Sequence, residues 1–119
     1  MRNQVITLLA GSFIAMPAIA STDQQVGMAV GLAAAIRCSV EKNLITEAEE
    51  IPLLEYHLEK NKIEHLNEYL SSDKGQTATR IVVSSFMDDK CSISTKDRKE
   101  MQRLNKIILF YAPDSDNQG

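Results

Sequence analysis

The sequence predicts an all-α fold, a small bundle of four to five short helices stapled by one disulfide. Three observations carry that expectation. Apolar residues recur at steps of three and four in almost every segment beyond residue 21, the period of a helix that buries one face. Ser, Thr or Asp precedes these segments, and Asn or Pro closes several of them. Only two cysteines occur, Cys38 and Cys91, so a single intramolecular pairing exists.

Residues 1–20 stand apart from the rest. Arg2 and the amino terminus make a positive opening, and Val5 to Met16 is apolar and uncharged. Pro17 breaks the run, and Ala18-Ile19-Ala20 forms an A-x-A cleavage site before Ser21. These are the three parts of a cleavable Sec signal peptide. The apolar run is short of the roughly 20 residues that span a bilayer. The expected product is one helical domain over 21–113 with a polar, disordered tail at 114–119. The expected location is the periplasm, with secretion as second choice.

Export places both thiols in an oxidising compartment, where paired cysteines become disulfides. A Cys38–Cys91 bond closes a loop of about fifty residues, which the chain-entropy model values at about 4 kcal/mol. That is a large share of the roughly 5–15 kcal/mol available to such a domain. No C-x-x-C pair occurs, and two separated cysteines are too few for a zinc site.

The first expected helix starts at Ser21, Thr22 or Asp23 and buries Val26, Val30, Ala33, Ile36 and Val40, widened by Met28, Leu32 and Ala35. Gly27, Gly31 and Ala35 form a small-residue ridge. Tight packing within one subunit and a homodimer face are both open readings of it. Thr46 and Glu49 make a T-x-x-E capping box for a second helix, with Ile51, Leu54 and Leu58 as its core stripe. Pro52 either kinks this helix or marks its restart near Ile51. A break at Lys60-Asn61-Lys62, with Asn61 as a left-handed cap, resets the phase to Ile63, Leu66 and Leu70. Ser72 or Asp73 caps the next helix, which buries Ala78, Ile81, Val82, Ser85 and Phe86. Thr95 caps the last, whose inner face is Met101, Leu104, Ile108 and Tyr111, and Pro113 stops it.

Chemistry is hard to find. The chain has no Gly-rich phosphate loop, no G-x-S-x-G and no H-E-x-x-H. His57 and His65 lie eight apart with Asn61 halfway, one face of an unbroken helix, but the phase break between Leu58 and Ile63 separates them. Glu64 and Glu68 form a like-charge i, i+4 pair suited to a solvated face. No catalytic residue, metal ligand or cofactor is therefore expected.

Charge is more informative. Residues 41–73 carry nine acids against three lysines, net −6, and residues 90–106 carry six bases against two acids, net +4. Two readings follow. Either the last helix packs beside the acidic middle, or the charges form docking faces for a partner. On the second reading the partner-facing set is Glu47, Glu49, Glu50, Glu55, Glu59, Arg98, Lys99 and Arg103. Without Arg2 the chain has twelve basic and sixteen acidic side chains, net −4, which disfavours nucleic acid as a partner. No second apolar span predicts membrane insertion after cleavage.

An export signal, about a hundred helical residues and one disulfide together resemble the periplasmic immunity proteins of the type VI amidase-effector class. The same architecture resembles the small acid-stress chaperones of enteric bacteria. Both likenesses rest on architecture and carry over no functional residue. The function expected is that of an exported, non-enzymatic protein that binds another protein as an immunity or inhibitor protein. An acid-stress chaperone and an enzyme without a recognisable motif are the alternatives.

Overall fold

The computed structural model describes residues 22–94 and 97–113. The leader, Thr95 and the polar tail lie outside them. Five α-helices follow in order: α1 (Thr22–Glu41), α2 (Glu50–Lys60), α3 (Asn67–Ser71), α4 (Asp73–Phe86) and α5 (Arg98–Phe110). Short 3₁₀ turns at Glu47–Glu49 and Glu64–Leu66 lead into α2 and α3. No strand forms among the described residues; Met87 and Ile93 make one isolated antiparallel bridge. The all-α fold and the Cys38–Cys91 disulfide are as the sequence predicts.

α1 is the central element, packed against α2, α4 and α5. Its buried positions include Val26, Ala29, Val30, Gly31, Ala33, Ala34, Ile36 and Cys38. At 100° per residue these cover more than half of its circumference, wider than the single stripe expected. The alanines keep it thin enough for three neighbours. Gly31 is buried with Ile93 beside it, whereas Gly27 has open space where a Cβ would stand. The small-residue ridge therefore does not act as one continuous seam.

α1 and α2 end on the same device. After α1, Leu44 N–H donates to the Ser39 carbonyl and Asn43 N–H to Val40, with Asn43 left-handed at φ 62°. After α2, Ile63 N–H donates to Leu58 and Lys62 N–H to Glu59, with Lys62 at φ 61°. These paired bonds are the Schellman closure. The left-handed residue is thus Lys62 and not Asn61, whose φ is −95°. Asn61 instead turns its side-chain amide onto the His57 carbonyl at 2.8 Å. The second closure brings Ile63 back to the level of Leu58, and both are buried.

Pro52 is the third residue of α2, within the first turn, where its missing N–H leaves no helical bond unmade. The helix accordingly begins at Glu50. This early start leaves Ile51 beyond the core: it is 64% exposed, against 0% for Leu58, while Leu54 is half-buried. In α4, Ala78, Val82 and Phe86 are buried as expected, but Ser85 is exposed and Thr79 takes the inner position. Thr79 satisfies its hydroxyl by donating to the Gly75 carbonyl at 2.8 Å. In α5, Leu104 and Ile108 are buried, Tyr111 is half-buried and Met101 is exposed.

α3 and α4 meet at a corner one residue wide. Ser72 makes it by accepting from Gly75 N–H at 3.2 Å and donating to the Tyr69 carbonyl at 2.5 Å. Asp97 caps α5, accepting from Glu100 N–H at 2.9 Å. Removing that acceptor in Asp97→Ala is expected to lower stability by about 1 kcal/mol, read as a lower urea midpoint with an unchanged slope. An unaltered midpoint would contradict this role.

Candidate functional site

The cysteines are joined with their Cα atoms 5.6 Å apart. Cys38 lies near the end of α1, and Cys91 lies in the turn between α4 and α5. That turn is shaped by Asp88. Its Oδ1 accepts from Lys90 N–H at 2.9 Å and Ser92 N–H at 3.0 Å, and Cys91 takes φ 60°. The bond to Ser92, more than the one to Lys90, holds the Asp88 carboxyl below its ordinary range. A disulfide of this kind fits an oxidising compartment. Among the described residues no helix is long and apolar enough to cross a membrane.

The histidines do not converge on a metal site. His57 belongs to α2 and His65 to the 3₁₀ turn before α3. No group of three or more His, Cys, Asp or Glu stands close enough to hold a metal among the described residues. His57 is half-buried, and desolvation, aided by Lys60, lowers its pKa. The unfolded chain therefore holds more protons than the folded one just below the ordinary histidine pKa of about 6.5. Stability is expected to fall as pH drops below about 6.5 and to level off, for this group, below its folded pKa. His57→Gln should flatten that slope in urea titrations; an identical slope in the variant would contradict the assignment.

An open groove of about 690 Å³ lies where the start of α1 faces α3 and the α3–α4 corner, with His65, Tyr69 and Lys74 on its wall. Tyr69 is already committed, since its hydroxyl donates to the Tyr111 carbonyl at 2.7 Å and burial raises its pKa. A smaller cleft of about 300 Å³ beside the disulfide mixes Arg37, Lys42 and Arg80 with Glu41, Asp88 and Asp89. Lys42 and Asp89 approach to 3.9 Å across it.

The charged residues singled out in the sequence divide into two groups. Glu50 turns inward and accepts from Arg37 Nε at 2.7 Å, while Arg37 Nη2 reaches Gln76 Oε1 at 3.1 Å. That network ties α2 to α1 and α4, so Glu50 is not free for a partner. Glu49 closes the capping box, accepting from Thr46 N–H at 2.8 Å and Thr46 Oγ1 at 3.0 Å. Those bonds, the backbone one first, lower its pKa.

The remaining acids, Glu47, Glu55 and Glu59, are exposed. Glu55 and Glu59 share the outer face of α2 with Ile51 and with Tyr56, which is 54% exposed. Arg98, Lys99 and Arg103 are exposed on α5. Arg103 holds its guanidinium 4.7 Å from the centroid of the Phe86 ring, a cation–π contact with the adjoining helix. Lys106 and Phe110 extend the same face, and Phe110 is 76% exposed.

Among the described residues the acidic and basic stretches form no ion pairs with each other. α5 packs against α1 and α4, and no ion pair between described residues joins 90–106 to 41–73. The expectation that the last helix packs beside the acidic middle therefore fails at the level of charge pairing. What the sequence did not reveal is that each free charged face carries large apolar side chains. The spacing of Phe110, four residues beyond Lys106 and seven beyond Arg103, was the available signal for the basic one.

No family model, curated protein or solved structure matches this chain.

Proposed function

We propose that this chain is an exported, non-enzymatic domain that binds another protein in the periplasm. The observation that carries the reading is the pair of unneutralised helix faces, each combining like charges with exposed apolar side chains. Charge of one sign steers a partner and rejects wrong ones, while apolar and aromatic groups supply contact area once water leaves. The tripartite leader supports export, and the disulfide supports residence in an oxidising compartment. The reading extends to a protein that blocks or escorts its partner, with an immunity or inhibitor role as its most specific form.

The test uses the oxidised chain from residue 21 as bait in periplasmic extract. One protein is expected at stoichiometric yield, and its capture is expected to fall sharply with Glu55→Lys/Glu59→Lys or with Lys99→Glu/Lys106→Glu. Among the described residues no hydrogen bond or ion pair holds these side chains, so the variants should melt with the parent. Absence of a stoichiometric partner, or capture by both variants undiminished from the parent, overturns the reading.

A further inference from the structure

The outer faces of α2 and α5 are opposite in charge and alike in build. α2 presents Ile51, Glu55 and Glu59 at successive four-residue steps, with Tyr56 alongside. α5 presents Lys99, Arg103, Lys106 and Phe110 at steps of four, three and four. At 1.5 Å per residue, Glu55 and Glu59 lie about 6 Å apart along their helix, as do Lys99 and Arg103 along theirs.

We infer that the acidic face of α2 docks on the basic face of α5 in a second copy of this chain, so that the protein associates head to tail. The inference rests on the reading of these faces as protein-docking surfaces, and it names one occupant. An antiparallel register fits best. It sets Glu55 opposite Arg103 and Glu59 opposite Lys99, and it brings Ile51 within one turn of Phe110. The parallel register sets Glu55 and Glu59 opposite Lys99 and Arg103 equally well, but it carries Phe110 past the end of α2. Lys60, the one base on the outer side of α2, lies 5.7 Å from the centroid of its own Tyr56 ring. α5 has no fully exposed acid: its exposed positions ahead of the apolar end are Arg98, Lys99, Met101, Gln102, Arg103, Asn105 and Lys106.

The second copy is preferred over other occupants because both halves of the complementarity are present on one chain. A single helix-on-helix contact is smaller than the roughly 1,200 Å² of a stable interface. The association is therefore weak, concentration-dependent and sensitive to salt. Each contact uses two different surfaces, which makes it heterologous.

Sedimentation velocity on the oxidised chain from residue 21 tests this. At about 20 mM salt the weight-average mass should climb with concentration, and at about 0.5 M salt it should return to the monomer. Glu55→Lys/Glu59→Lys gives a chain with two basic faces, and Lys99→Glu/Lys106→Glu gives one with two acidic faces. Arg103 is left in place because its guanidinium serves Phe86. Each variant alone should remain monomeric at low salt, with association weakened on the order of tenfold or more. An equimolar mixture should associate again. Circular dichroism melts confirm that both variants are folded.

A parent chain that stays monomeric at low salt, a reversed variant that still associates alone, or a mixture that does not recover overturns the inference. If the parent is monomeric while periplasmic capture remains charge-dependent, this inference falls and the proposed function stands. If neither occurs, both fall. Binding of anionic vesicles that depends on Lys99 and Lys106, without self-association, overturns it in favour of a membrane surface.

Discussion

Reducing the Cys38–Cys91 bond is expected to lower the free energy of unfolding by about 4 kcal/mol. The bridge spans a sequence separation of 53, and a cross-link of that reach removes much of the freedom of the unfolded chain. Urea melts of oxidised and reduced protein measure the effect with both sulfurs still present, so packing changes little. The Cys38→Ala/Cys91→Ala variant should lose at least as much, because both positions are buried and truncation opens space there. A typical domain has about 5–15 kcal/mol in total, so either form should lose a large share of its stability. A reduced protein within about 1 kcal/mol of the oxidised one would show that the unfolded chain is already confined, and that the bridge does not stabilise by this route.

The second large effect runs against helix propensity. Gly75 is in the first turn of α4, where alanine would ordinarily gain about 1 kcal/mol. Here a Cβ would run into the carbonyl oxygen of Tyr69 and stand 2.7 Å from Leu70 Cα. Both are backbone atoms of α3, held by the one-residue corner at Ser72, and cannot swing aside. Gly75→Ala is therefore expected to cost about 3 kcal/mol, at the upper end of overpacking penalties. Gly27→Ala is the internal control, a helical position whose Cβ meets nothing within 4 Å. It should stabilise by about 0.5–1 kcal/mol. Opposite signs at the two sites are the signature; a neutral or stabilising Gly75→Ala would mean that α3 can move off α4 without loss.

How much of this was legible depends on how far each feature reaches along the chain. The Thr46–Glu49 box and the Ser72 cap were readable because their partners lie three residues away. The buried faces at Ile63, Leu66 and Leu70, and at Ala78, Val82 and Phe86, were readable because helical period alone sets them. Lys62 rather than Asn61 took the left-handed position because the closure is fixed by where Ile63 must return to Leu58, not by residue preference. Ile51 matched the phase of Leu58 yet projects beyond the core, since phase says nothing about how far a neighbour extends.

The candidate faces were half legible. Composition located the acidic and basic stretches. Which acids stay free was not visible, because Glu50 is claimed by Arg37, thirteen residues upstream on another helix. Nor was the exposure of Tyr56 and Phe110, which follows from what α1 and α4 leave uncovered.

The covalent ring closed by Cys38 and Cys91 encloses α2, α3 and α4 but leaves α5 outside. Held by Leu104 and Ile108 and by no covalent link, α5 is expected to open while the looped remainder holds its shape. Its amides should exchange with deuterium through a low-energy local opening, well before those of α1. The basic face thus rides on the one helix that follows the ring, so a partner that gripped it would also tie that helix to the rest of the protein.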